Sequence, residues 1–388
     1  MNRRTFVGSL GAAGAGLAAA CAWRLEDNHV LSAADGPAYS PWVDWQREGA
    51  RQMEKLVRAA VLAASPHNSQ PWKFRLLESG IDVYADTSRR IRAIDPLLRE
   101  MHIGIGCAVE NLLLAAAAAG YTCSFDTPGP SGTGELLPVI RVVLKESAPR
   151  CSDLYAAIPW RNTDRGPYAV GADLDARSVQ ALNDLNPSES QLRIFWFRKT
   201  HQMRAFADLV FSATEAIVAD PEQSASSARW MRTNWSAIQR SRDGLTYDAQ
   251  GLTPCMRALA KFLPPLGIEK TNRYWLSATR EIQLATAAAF GLIAARDARN
   301  CQQLLEAGRL WQRMHLLATV HGIAMQPLSQ PVERRDREFQ LNQPLACATA
   351  LAELQQDASW QAVMPFRLGY PTRRALPSPR RTLASVLI

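Results

Sequence analysis

Between a helical run at Met53–Leu62 and an alternating strand at Trp72–Leu76 lies Ala63-Ala64-Ser65-Pro66-His67-Asn68-Ser69-Gln70-Pro71. Pro66 and Pro71, with Ser, Asn and Gln between them, stop the helix and force a corner. The corner offers hydroxyls, two carboxamides and free backbone N–H groups. Carboxamides donate and accept at once, so they suit a flat ring edged with both carbonyl and N–H groups. An Asx-rich turn before a hairpin is the plain alternative for the same residues.

The chain of 388 residues has ample material for a core, and 21% charged with 47% hydrophobic residues are globular values. Asn2-Arg3-Arg4-Thr5-Phe6-Val7-Gly8 is a twin-arginine pattern, and Gly8–Ala20 is a weakly apolar run too short to span a bilayer. Residues 1–22 therefore read as an export signal to the periplasm, with no transmembrane span left once it is removed. Cys21 after Leu17-Ala18-Ala19-Ala20 leaves two routes open, plain cleavage or a lipid anchor at Cys21. Loss of residues 1–20 removes two arginines and no acids, so the formal charge falls from +8 to +6. The arginines are scattered, with no basic run interleaved with aromatics, which argues against nucleic acid as a partner. None of the seven cysteines forms C-x-x-C, and none has a histidine at metal spacing, so no metal is expected.

Residues 23–44 read as a linker or arm. A helix is expected at Asp44–Ala64, a hairpin at Lys73–Leu77 and Ile81–Ala85, a long helix at Ile103–Gly120, and strands at Tyr121–Phe125 and Leu137–Lys145. Further on, the pattern gives helices at Asp173–Leu185, Thr200–Val218, Ser277–Arg296, Cys301–Gly322 and Leu345–Gln356. Strands are expected at Gln191–Phe197 and Val363–Leu368. Gly106, Leu114, Ala116 and Gly120 recur 202 residues later as Gly308, Leu316, Ala318 and Gly322. Pro66, Ser69 and Gln70 have a fainter echo in Pro187, Ser190 and Gln191. Residues 45–150 and 151–388 thus read as two halves on one plan, the second carrying an insertion at 224–265.

The corner resembles the flavin loop of the nitroreductase family, A-P-S-x-x-N-x-Q-P-W, with Ala64 in place of the family's proline. The resemblance implies an α+β, nitroreductase-like fold whose usual homodimer is fused in one chain, so a monomer is expected. That arrangement is similar to the Acg-type branch of the family. FMN is the cofactor implied, with Ser65, Asn68 and Gln70 on the loop side. Arg161, Thr163 and Arg165 match R-x-S-x-R/K, and Arg380 and Arg381 in the tail match the closing basic segment. The loop Met325–Ser329 stands where the family aims a backbone N–H at flavin N5, which points to Pro327, Leu328 and Ser329.

The implied function is an oxidoreductase passing hydride or electrons through flavin N5 to a nitro- or quinone-like acceptor, with NAD(P)H or a redox partner protein as donor. No protein group is assigned a catalytic role, because the flavin carries the chemistry. The alternative is an FMN-sequestering protein in which the insertion, with Trp230, Trp235 and Leu245, forms a lid. Walker, H-E-x-x-H and G-x-S-x-G patterns are absent, which argues against a hydrolase.

Overall fold

A computed structural model describes residues 22–47, 51–127 and 134–388; nearly all of the stretch read as an export signal, including Arg3, Arg4 and Cys21, lies outside them. After the arm comes α1 (Gln52–Val61), then the corner, then the hairpin β1 (Trp72–Leu76) and β2 (Gly80–Asp86). Alternation in β1 sends Trp72 and Phe74 fully inward. The 20-residue helix α2 (Arg99–Ala118) follows, then β3 (Tyr121–Asp126) and β4 (Leu136–Glu146). These four strands form one antiparallel sheet in the order β1-β2-β4-β3.

A second sheet is built the same way. It orders β5 (Leu192–Phe197), β8 (Ala289–Ala295), β10 (Gln361–Gly369) and β9 (Ala324–Pro327) as β5-β8-β10-β9, again antiparallel. Taken in chain order, both sheets run first, second, fourth, third. Each has a 20-residue helix between its second and third strands, α2 in one and α10 (Cys301–Val320) in the other. Both halves mix helix with antiparallel strand, an α+β fold.

The two long helices meet at Gly106 and Gly308. A Cβ on Gly106 would lie 2.1 Å from the Leu305 carbonyl oxygen, and one on Gly308 would lie 2.0 Å from that of Ile103. Only glycine permits so close a backbone approach. Polar contacts fix the crossing. Gln312 donates to Asn111 at 2.8 Å and Asn111 donates to the Ala59 carbonyl at 2.9 Å. Glu110 takes both Arg309 and Arg313 at 2.9 Å. α2 is the one described helix long and apolar enough to cross a membrane, and most of it is buried in this protein core.

The helix expected at Asp44–Ala64 is confined to Gln52–Val61, with turns at residues 44–46, and another expectation is overturned outright. The run expected as a helix at Ser277–Arg296 splits: the helix α9 (Ile268–Ala278) and a wider turn end by Leu284, and Ala289–Ala295 is strand β8. Every residue of β8 is buried, as the second strand of its four-stranded sheet. A strand covered on both faces loses its alternation and reads as a continuous apolar run, which periodicity does not separate from a buried helix. A helix not anticipated, α11 (Gln330–Gln340), follows β9 directly.

Gly106→Ala and Gly308→Ala should each lower stability by about 2–3 kcal/mol through overpacking, with the double variant less than additive because both relieve one contact. Urea unfolding midpoints of the three variants check this.

Candidate functional site

Between the corner and the second sheet lies a cavity of about 560 Å³. Its roof is the excursion between α5 (Thr200–Ala219) and β8. This comprises α6 (Pro221–Ala228), the short parallel pair β6 (Met231–Arg232) and β7 (Leu245–Thr246), α7 (Trp235–Ser241), α8 (Pro254–Phe262) and α9. The excursion is tied to the corner at both levels of structure. Gly244 N–H donates to the Asn68 carbonyl at 3.2 Å, the Asn68 side chain donates back to the Gly244 carbonyl at 3.2 Å, and His67 Nε2 lies 3.0 Å from Ser227 Oγ.

Five of the sequence-expected residues reach the cavity wall: Ser65, Thr163, Arg165, Pro327 and Ser329. They come from three stretches that are more than 90 residues apart in the chain. Ser65 Oγ accepts from Gln70 N–H at 3.0 Å, which closes the corner on itself. His67, Asn68 and Gln70 all hold positive φ there, near +50°. Arg165 donates to the Ala249 carbonyl at 3.1 Å, and burial draws its guanidinium down to about 10. Burial, then Arg165, pushes His67 down to about 4, so its ring is neutral at pH 7.

The other six stand off the wall. Asn68 and Gln70 are not turned toward the cavity: their carboxamides are taken by the chain itself. Asn68 donates to the Pro379 carbonyl at 2.9 Å and accepts from Arg380; Gln70 donates to the Arg242 carbonyl at 2.9 Å and accepts from Arg381 N–H at 2.8 Å. Arg381 is likewise a staple, bonded to the carbonyls of Gln70 (3.0 Å) and Ser385 (2.6 Å). Leu328 is fully buried in an apolar cluster with Phe290 and Val332, and its N–H is spent on the Pro365 carbonyl at 2.8 Å. The stretch read as a loop at Met325–Ser329 is partly β9, paired to β10, which is why its N–H groups are committed to the sheet.

Arg161 and Arg380 form the unusual part. Both are buried, at 2% and 3% exposure, and both donate to the Leu62 carbonyl, at 3.0 and 3.4 Å. Arg161 also reaches His315 Nδ1 at 3.4 Å; His315 is held far below its usual range by burial and then by Arg161, so it accepts. Arg380 bonds the Ala63 carbonyl at 3.3 Å and lies over the Trp42 ring at 4.6 Å. Neither has a carboxylate partner among the described residues, and the Nε of each is buried without a partner. Burial draws Arg161 down to about 10, and burial followed by Arg161 itself draws Arg380 well below the guanidinium range. Two adjacent buried cations without an anion are costly. Neither lines the cavity: Arg161 interacts with Cys107, a wall residue, and Arg380 bonds the carbonyl of Ala63, next to the wall residue Ala64.

The sequence did not single out several wall groups. Gln283 and Gln330 each have a buried Oε1 without a partner, and Gln326, Glu100 and Glu333 are also on the wall. Gln330 and Glu333 belong to the unanticipated α11, and Gln283 lies in the run misread as a longer helix.

No family model matches the chain. It is 29% identical over 138 residues to "Putative NAD(P)H nitroreductase Rv3131" of Mycobacterium tuberculosis, covering 34% of this chain and 40% of that protein. It is 30% identical over 128 residues to "Putative NAD(P)H nitroreductase acg" of the same organism, covering 32% of this chain and 38% of that one. The chain thus spans about two-fifths of the length of the curated relatives it matches. Among solved structures, it is similar to an FMN- and NADPH-dependent nitroreductase, NfnB, of sphigopyxis sp. strain HMH. That match has 13% identity and a TM-score of 0.40, covering 61% of this chain and 97% of that one. It is also similar to a nitroreductase with bound FMN from Desulfitobacterium hafniense, at 13% identity and a TM-score of 0.35, covering 60% and 95%.

Arg161→Met should stabilise the protein stripped of any bound anion by about 1–2 kcal/mol, because it removes one of two unpaired buried charges. Urea unfolding of stripped protein reads this; a loss of stability instead would show that the charge is already compensated.

Proposed function

We propose that the chain is an FMN-dependent oxidoreductase of nitroreductase type, with one flavin held in the roofed cavity. One observation carries the reading. The cavity gathers Ser65, Thr163, Arg165 and Ser329 on its wall, and the buried guanidiniums of Arg161 and Arg380, without a carboxylate partner among the described residues, are next to it in the chain packing, Arg161 near the wall residue Cys107 and Arg380 bonded to Ala63 beside the wall residue Ala64. The residues fit the group. A phosphate monoester would supply the anion that this pair lacks, through charge-assisted hydrogen bonds. The free carboxamide oxygens of Gln283 and Gln330 would accept from ring N–H, and Arg165 supplies a cation for the electron-rich edge of a reduced ring. Bound there, FMN supplies reversible hydride and electron transfer. The chain's own work is to orient the ring, exclude water with the excursion at 221–278, and compensate charge.

The repeated strand order and the paired glycine crossing support a further reading, that the chain is a fused pair of nitroreductase-like halves acting as a monomer. Only one half retains a site: Arg161-Asn162-Thr163-Asp164-Arg165 serves the corner at residues 64–70. The acceptor class we propose is nitro- or quinone-like, with NAD(P)H or a redox protein as donor. Export through the twin-arginine pattern would load the flavin before the folded protein leaves the cytoplasm.

The depth of the roof favours one rival, sequestration of FMN without turnover. Purified protein should be yellow. Under anaerobic conditions, excess NADPH should bleach it within seconds if it is a reductase. Bleaching by dithionite alone would establish sequestration, and a colourless protein that takes up no added FMN would refute both readings.

A further inference from the structure

The roof of the cavity contains a helix turned inside out. In α8, Arg257 and Lys261 stand one turn apart, and both ion-pair with the buried Asp248, at 3.4 and 2.7 Å. Lys261 also donates to the Ser32 carbonyl at 3.0 Å and is only 8% exposed. With its basic side held down, the helix turns its apolar side outward. Met256, Leu259 and Leu263, spaced i, i+3 and i+7, are 50%, 55% and 46% exposed. A surface helix that faces water is oriented the other way, with the apolar stripe on the core.

The apolar face continues past the helix, because Leu266, Ile268 and Tyr274 are exposed as well. The turn that joins α8 to α9 suits an apolar medium. Leu263 N–H is spent on the Leu259 carbonyl at 2.9 Å, and Pro264 and Pro265 have no N–H to leave unpaired. Met256, Leu266, Ile268 and Tyr274 also line the cavity. Side chains that are at once exposed and on the cavity wall make this face the rim of the cavity mouth.

We propose that this rim docks on an anionic lipid bilayer, with the apolar side chains in the boundary between headgroups and acyl chains and the mouth opening into the lipid. Charge favours that occupant over a second copy of the chain. The excursion at 221–278 carries eight basic residues and four acids, and the whole chain is formally +8, so an anionic surface attracts the roof while another copy repels it. Access favours it over any protein. A protein seated on the rim would cover the mouth, whereas lipid buries the same side chains and delivers an apolar ligand to the cavity. The docking rests on this face alone; only the reading of that ligand as the electron acceptor rests on the proposed flavin.

Cys255 reports on the face directly. It is exposed, beside Met256 and one turn before Leu259, whereas the exposed Cys151 and Cys301 lie ahead of the short helix at Asp153–Ala157 and at the start of α10. The full chain is alkylated with iodoacetamide, and the rate at each cysteine is read by peptide mass spectrometry. Vesicles of equal parts phosphatidylglycerol and phosphatidylcholine should slow Cys255 at least about fivefold and leave Cys151 and Cys301 within about twofold. Leu259→Ser/Leu263→Ser changes two exposed positions that do not line the cavity, and it should restore the vesicle-free rate at Cys255.

An unchanged Cys255 rate with these vesicles would overturn the proposal. Equal slowing at all three cysteines, equal protection by pure phosphatidylcholine, or protection that survives in the double variant would do the same. Protection that needs no vesicle and grows with protein concentration would put a second copy on the face instead. Comparing cysteines within one protein keeps the result independent of any lipid binding by residues 1–21. A colourless protein would remove the flavin and leave this result standing.

Discussion

Everything that converges on the cavity does so because two helices touch backbone to backbone at Gly106 and Gly308. With side chains there, the helices would stand farther apart, at the 8–10 Å typical of packed helices. The contact brings Gln312 to Asn111, and through it α1 and the start of the corner. It also sets His315 against Arg161, which carries the 161–165 segment to the corner's carbonyls. The wall is therefore assembled from both halves, and neither half alone contains it.

The chain closes this assembly from behind with its own tail. Asn68, Gln70, Arg380 and Arg381 form a lattice of side chain to backbone bonds that pins residues 379–381 under the corner. Such a lattice explains why three of four successive corner positions, His67, Asn68 and Gln70, tolerate positive φ: their strain is offset by bonds that only that conformation makes. It also delivers Arg380 to Arg161. Two buried guanidiniums on one carbonyl oxygen, without a carboxylate among the described residues, form a cationic site that an anion would stabilise.

Much of this was legible in the sequence because local signals and tertiary demand agreed. Two prolines fixed the corner, alternation fixed β1, and glycines repeated at a constant offset marked the crossing helices. Arg161, Thr163 and Arg165 came from the resemblance of a short motif; Thr163 and Arg165 line the cavity and Arg161 does not. What was missed follows a physical rule. β8 is buried on both faces, so it lost the alternation that marks a strand. Glu100 and Glu333 were not singled out in the sequence, and only the fold shows that both are buried on the cavity wall. Asn68 and Gln70 have the donor and acceptor chemistry expected of ring-binding groups, but which partner uses that chemistry is decided by the tail, more than 300 residues away.

The claim on which the account turns is that Arg161 and Arg380 await a phosphate. Titration of the flavin-stripped protein with FMN and, separately, with riboflavin isolates that single group, since the two ligands share everything else. The account predicts that FMN binds at least about 100-fold more tightly, as expected for two buried charge-assisted contacts. Equal affinities for the two would contradict it.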